Sequence, residues 1–271
     1  MNEFLENNRS LWNGWTRLHE RSRFYDIEGF KAGKSTLEPL EIEEVGDVAG
    51  KSLLHLQCHF GMDTLSWARR GARVTGADFS EEAVKLAGSL AAELNLPAAF
   101  VCSNIYDLPR VLEGQFDIVF TSYGVLSWLP DLNAWAEVIA HFLIPGGAFH
   151  LVEYHPFISM LGDDDHTFEY PYFHTPVPIK LHSTGSYAVP NAPGFSHTEY
   201  NWSHSLGDVV NAILRASLRL EFLYEFPYWH TNPCTAEEFE PGKTRLTGWL
   251  VEPPHMFSLR AVREPGKEDA P

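Results

Sequence analysis

Between residues 50 and 156, short apolar runs alternate with stretches whose apolar positions return every three or four residues. The runs Ser52 to Gln57, Val74 to Phe79, Ala98 to Cys102, Phe116 to Ser122 and Ala148 to Tyr154 predict five strands. The fourth holds the apolar run Ile118-Val119-Phe120, as a strand covered on both faces does, and is expected at the centre of the sheet. Asp63 to Arg70 predicts a helix closed by Gly71. Ser80 is a good N-cap, and Glu81 and Glu82 suit the positive end of the helix that follows. Ala83, Val84, Ala87, Leu90, Ala91 and Leu94 form its buried face. Asp131 caps a third helix with the stripe Leu132, Trp135, Ala136, Ile139 and Leu143, and Pro145-Gly146-Gly147 stops it. Strand alternating with helix predicts an α/β fold with a parallel sheet wound on both faces.

The flanks follow other patterns. Leu5, Leu11, Trp12, Trp15 and Leu18 recur at helical spacing, so residues 3–26 predict one or two helices. A loop with Gly29, Gly33 and Pro39 then leads to an acidic segment, Glu41 to Asp47. From Phe157 to His204 the rhythm breaks; the stretch is rich in histidine, aromatics and proline and reads as an inserted lid or short hairpin. Ser205 with Asp208 resembles a capping box that opens a helix through Val209, Ile213 and Leu214. Leu218 to Phe226 and Met256 to Val262 close the fold as a hairpin with a long, proline-bearing loop, which makes the final strand antiparallel. The domain expectation is a helical cap over 1–44 and a core over 45–264 carrying the insertion 157–204. The tail from Glu264 is expected to be disordered.

Composition narrows the function. The chain has 271 residues, 44% hydrophobic and 21% charged, enough to bury a sizeable core. A formal charge of −16 with no long basic cluster disfavours phosphate backbones, so no nucleic-acid partner is expected. Three cysteines, Cys58, Cys102 and Cys234, without pattern argue for a reducing compartment rather than a disulfide framework. The polar N-terminus and the absence of a long apolar run predict a cytoplasmic protein with no membrane partner. Oligomeric state is not legible.

Ligands of open α/β sheets bind beyond the carboxyl ends of the strands, where the strand order reverses. After the first strand come Gln57-Cys58-His59-Phe60-Gly61-Met62-Asp63, a tight turn into a helix N-terminus. Gly61 is the position where close backbone approach is expected. After the second strand, Asp78 can accept both hydroxyls of a ribose, and Phe79 can cover an adenine face. After the third, Asn104 and Ile105 offer an amide and an apolar surface. After the fourth, Ser122 and Tyr123 face the reactive end. Glu153 and His155, at the end of the fifth strand, join Tyr123 as weak catalytic candidates. His55, Cys58 and His59 match no zinc spacing, and no metal site is expected.

The order of these elements resembles the class I S-adenosylmethionine-dependent methyltransferases, with a Rossmann-like sheet. Leu53 to Gly61 matches that family's first glycine-rich loop, Val74 to Ser80 its second strand with the ribose-binding acid, Phe116 to Tyr123 its fourth strand, and Leu143 to Gly147 its Pro-Gly-Gly turn. The likeness covers residues 50–156 and points to the small-molecule branch. It implies S-adenosylmethionine as cofactor, held by Tyr25, Gln57, His59, Gly61, Asp78, Phe79, Asn104, Ile105, Ser122 and Tyr123. It also implies an enzyme that methylates an unidentified small molecule, with Tyr25, Tyr123 and Trp128 near the sulfonium. One departure is plain: His55 stands at the usual acid position, and Gln57 and His59 replace the first two glycines, leaving only Gly61. Two rivals follow. A non-catalytic cofactor-binding protein fits the altered loop; a nicotinamide-dependent oxidoreductase would want three glycines there.

Overall fold

The computed structural model describes residues 2–162, 166–190, 192–230 and 236–265. Cys234 and the tail beyond residue 265 lie outside the described residues, whereas Cys58 and Cys102 are free thiols.

The chain begins with α1 (Glu3–His19), α2 (Ile27–Lys31) and α3 (Pro39–Val45). The alternating core follows: β1 (Ser52–Leu56), α4 (Met62–Arg69), β2 (Arg73–Asp78), α5 (Glu81–Glu93), β3 (Ala98–Cys102), β4 (Phe116–Ser122), α6 (Leu132–Phe142) and β5 (Leu143–Tyr154). An inserted three-stranded sheet is made of β6 (Ile179–Ser186), β7 (Val189–Pro190) and β8 (Ser196–Asn201). Then come α7 (Leu206–Arg215), β9 (Leu218–Phe226), a small hairpin of β10 (Glu237–Glu240) and β11 (Lys243–Arg245), and β12 (Met256–Arg263).

The main sheet has seven strands in the order β3-β2-β1-β4-β5-β12-β9. The pairs among β1 to β5 are parallel, and β12 runs antiparallel to both β5 and β9. This is the Rossmann-like, doubly wound sheet with an antiparallel final strand that the sequence predicts. The order reverses at β1, which has β2 on one side and β4 on the other.

Alternation in the strands sorts side chains to two faces. Leu54, Leu56, Val119, Phe149 and Leu151 pack with Trp135, Ile139 and Phe142 of α6 and Val209 and Ile213 of α7. Leu53, Val74, Ile118 and Phe120 face the other way, against Trp67 of α4 and Val45 of α3. Asp131 and Ser80 cap their helices as expected, and Ser205 and Asp208 form the capping box of α7.

Three local departures have physical causes. The acidic segment near Glu41 is a helix, because Pro39 sits at its start and Glu38 and Glu41 cap it reciprocally. The Pro-Gly-Gly turn does not end α6 as a loop; it is the opening of β5. A Cβ on Gly147 would lie 3.0 Å from the carbonyl oxygens of Ile144 and Phe116, so glycine admits β5 to close range of β4. Asn104 opens a 3₁₀ turn over Ile105–Arg110 that the apolar pattern did not announce.

The cap and the insertion form one body. Asn7 and Asn8 donate to the carbonyls of Thr198 and Tyr200 at 2.7 Å, and Trp15 Nε1 donates to Gly185 O at 2.8 Å. Helix α1 lies directly on β6 and β8.

Candidate functional site

A cavity of about 1040 Å³ opens at the carboxyl ends of β1 to β5. It is walled by the cap, the insertion and the loops after those strands. Its volume is at the upper end of the range of about 300–1,000 Å³ found for ligand pockets.

The loop after β1 runs into α4 through three left-handed residues at alternate positions: Gln57 (φ 55°), His59 (φ 51°) and Gly61 (φ 76°). Only glycine adopts this backbone without strain. The path of a three-glycine loop is thus kept although two of its positions carry side chains. What crowds Gly61 is protein: a Cβ there would meet the Phe100 ring at 2.6 Å. Gln57 Nε2 donates to Val125 O at 3.3 Å, while its buried Oε1 has no hydrogen-bond partner. The His59 ring packs against Trp12, His19, Tyr25 and Phe60. Tyr25 is joined through its hydroxyl to Tyr187 of the insertion.

Asp78 ends β2 and is 8% exposed. It accepts the backbone N–H of His59 at 2.8 Å and of Ser80 at 2.9 Å, so it ties the first loop to the start of α5. Burial pushes its carboxyl up to about 6, against the opposing pull of those N–H donors. Each oxygen retains a second lone pair for a ligand. Phe79, Asn104, Ile105, Ser122 and Tyr123 line the same cavity. Asn104 also accepts from Tyr106 N, the turn-forming duty its type suggests. The Tyr123 hydroxyl is buried without a partner. Trp128 lines the cavity edge-on to Trp12, with ring centroids 5.2 Å apart.

Two sequence candidates do not reach the cavity. Glu153 accepts the backbone N–H groups of Gly124, Val125, Leu126 and Tyr154, and so clamps the loop after β4. Its oxygens are committed to that clamp. His155 Nε2 meets Glu225 Oε1 at 2.8 Å and its Nδ1 accepts from Phe157 N. Neither residue lines the cavity. At the end of β5 it is Tyr154 that lines the cavity.

Other lining residues escaped the sequence reading. Asp63, in the first turn of α4, passes at sequence level as a helix-end acid. Its oxygens accept Thr36 Oγ1 at 2.5 Å and Ser122 Oγ at 3.4 Å. Burial pushes its carboxyl up to about 6. His230, from the β9–β12 connection, has an unpartnered, buried Nε2 and places Nδ1 3.8 Å from Glu38 Oε2. No local sequence signal marks a residue brought in from a long loop. His55 is turned into the core, with Nδ1 2.9 Å from Thr64 Oγ1 and burial pushing its imidazole down to about 3. Among the described residues no group of three His, Cys, Asp or Glu is arranged to hold a metal ion, and no helix is long and apolar enough to cross a membrane.

Sheet order, reversal at β1 and a strand-end cavity bearing an acid after β2 define the class I methyltransferase fold. Comparison with known proteins agrees. Residues 53–147 match the family model described as a methyltransferase domain. The ubiquinone biosynthesis O-methyltransferase of Xanthomonas oryzae pv. oryzae (strain PXO99A) is 32% identical over 133 residues, 48% of this chain and 55% of that protein. The chain thus spans about half the length of the curated relatives it matches. The fold is shared with an S-adenosylmethionine-dependent methyltransferase from Methanosarcina mazei, with TM-score 0.57, 19% identity, and coverage of 84% of this chain and 98% of that one. It is shared also with the magnesium protoporphyrin IX methyltransferase of Synechocystis PCC 6803 with bound SAH, with TM-score 0.56, 16% identity, and coverage of 97% and 100%.

Proposed function

We propose that this chain transfers a methyl group from S-adenosylmethionine to a small molecule held in the same cavity. The observation that carries the reading is Asp78, a buried carboxylate with spare lone pairs at the end of β2, beside a loop with the backbone of a three-glycine turn. On this reading Asp78 accepts the ribose hydroxyls, Phe79 and Ile105 cover the adenine, and Asn104 bonds its edge. Gln57, His59, Gly61, Ser122 and Tyr25 enclose the amino-acid end, with the orphaned Gln57 Oε1 as a ready acceptor. The cofactor brings a methyl group already activated on sulfur, so the protein's task is orientation and exclusion of water. The joined cap and insertion supply that cover, through Trp12, Trp15 and Tyr187.

The acceptor end is then the part of the cavity toward β4, β5 and β9, walled by Glu38, Tyr123, Tyr154, Ile158, Trp229 and His230. Its charge disfavours anions. Among the described lining residues Asp26, Glu38, Asp63, Asp78 and Glu199 are acids, while the one Lys or Arg, Lys34, is engaged by Asp26 at 2.6 Å. A neutral or cationic acceptor with an aromatic-sized body suits these walls. The left-handed backbone retained at Gln57 and His59 weighs against a domain that has lost its ligand. Release of S-adenosylhomocysteine from S-adenosylmethionine, followed with phenols, aryl amines and aryl carboxylates, tests the proposal. Turnover with a phenol or amine supports it. Turnover with carboxylates alone overturns the acceptor class, and none with any of them favours the non-catalytic rival.

A further inference from the structure

The sulfonium cofactor carries an α-ammonium group, and a buried ammonium needs an anionic or carbonyl partner. The residue at the usual acid position, His55, does not serve. It is 2% exposed, faces Thr64, and is held neutral by burial.

The other carboxylates lining the cavity can be taken in turn. Asp78 sits at the ribose end, with its oxygens on the His59 and Ser80 amides. Asp26 is engaged by Lys34 and Gly29. Glu199 belongs to β8 of the insertion and faces Ser183. Glu38 precedes α3, at the acceptor end beside His230. Asp63 alone stands on the helix that the first loop opens into, two residues past Gly61 and against Ser122 at the end of β4.

Resting on the S-adenosylmethionine reading, we propose that Asp63 is the anion that receives the cofactor's ammonium, in place of the acid missing from β1. Thr36 and Ser122 are the positioning residues. Both hydroxyls donate to the carboxylate and fix its plane, and a carboxylate offers about four lone-pair sites, so two donors leave room for an ammonium. None of the groups that set Asp63's acidity is a cation, and the charged neighbour among them is Glu38, another acid. The carboxylate therefore stands half-buried without a counter-charge, which an incoming ammonium would supply. Gln57 and Tyr123, which line the same cavity, each leave a buried polar atom without a partner, Oε1 and the hydroxyl, and so point independently to a polar ligand.

Two probes that differ in the amino-acid tail separate this assignment from the reading beneath it. Calorimetry measures the affinities of S-adenosylhomocysteine and of 5′-methylthioadenosine, which lacks the tail, for wild type, Asp63→Asn and Asp78→Asn. The expected result is that Asp63→Asn binds S-adenosylhomocysteine at least tenfold more weakly and 5′-methylthioadenosine within twofold of wild type. Asp78→Asn should weaken both. Retained 5′-methylthioadenosine binding also shows that Asp63→Asn is folded. If Asp63→Asn weakens both probes equally, or neither, the ammonium assignment is overturned while the cofactor reading stands. If wild type binds neither probe, the cofactor reading itself fails and the assignment falls with it.

Discussion

Acidification from pH 8 to 5.5 is predicted to remove several kcal/mol of folding stability, and buried histidines are the cause. Burial pushes His19, His55 and His150 down to about 3 and His204 down to about 4, against 6.5 for a free imidazole. All four are at most 8% exposed. Below pH 6.5 the unfolded chain takes up a proton on each imidazole that the folded chain refuses, so stability falls as pH falls. At pH 5.5 this costs about 1.4 kcal/mol per histidine and about 6 kcal/mol for the four. Asp63 and Asp78 act in the opposite sense. Their folded values are raised to about 6, so the folded chain binds their protons first on the way down. That returns about 2 kcal/mol by pH 5.5. For these six groups the net loss is about 4 kcal/mol, a large part of the 5–15 kcal/mol that typically holds a domain folded. His59, also pushed down by burial and by His19, adds to the loss, while burial raises the carboxyls of Glu41, Glu44, Glu153 and Glu199, which subtract from it. Guanidinium unfolding followed by tryptophan fluorescence at the two pH values measures it. His150 Nδ1 has no partner, so His150→Leu should reduce the loss by about 1.4 kcal/mol. Equal stability at both pH values, or greater stability at 5.5, would refute the reasoning.

Replacing Asp78 by Ala removes the acceptor of two backbone N–H groups, each worth about 1–3 kcal/mol when orphaned. The variant should melt at lower temperature and bind S-adenosylhomocysteine at least tenfold more weakly; unchanged affinity in a folded variant would remove Asp78 from the ribose. Glu153→Gln keeps one acceptor oxygen for four backbone donors, so the loop of Tyr123 and Gly124 should exchange amide hydrogens faster, and unchanged exchange there counts against the clamp. Gln57→Gly relieves a left-handed residue worth about 1–2 kcal/mol and adds chain entropy of about 0.5–1 kcal/mol, so thermal melts should show little change or a slight gain. His59→Gly loses its ring contacts with Trp12, Tyr25 and Phe60 and should melt lower.

The strands and capped helices of the core were legible because each rests on local chemistry. Phe116 to Ser122 is apolar at every position but Asp117, Thr121 and Ser122, and Ser80, Asp131 and Ser205 each cap within three residues. Asp78 and Gly61 were legible because a strand end and a tight turn fix where they fall. The direction of Glu153 was not legible because position at a strand end does not reveal it: the residue is 3% exposed and turned toward the amides of the loop after β4. Asp63 went unnoticed since a helix-end acid has an ordinary explanation, and only Thr36 and Ser122, remote in sequence, show it facing the cavity. The joining of α1 to the insertion depends on contacts across some 190 residues, such as Asn8 with Tyr200, which no periodicity records.

The central claim is that the strand-end cavity binds an S-adenosyl ligand. Calorimetric titration of the protein with S-adenosylhomocysteine and, separately, with NAD tests it most directly. The account predicts micromolar binding of S-adenosylhomocysteine, about 8 kcal/mol in free energy, and no heat with NAD. Heat with NAD and none with S-adenosylhomocysteine would contradict it.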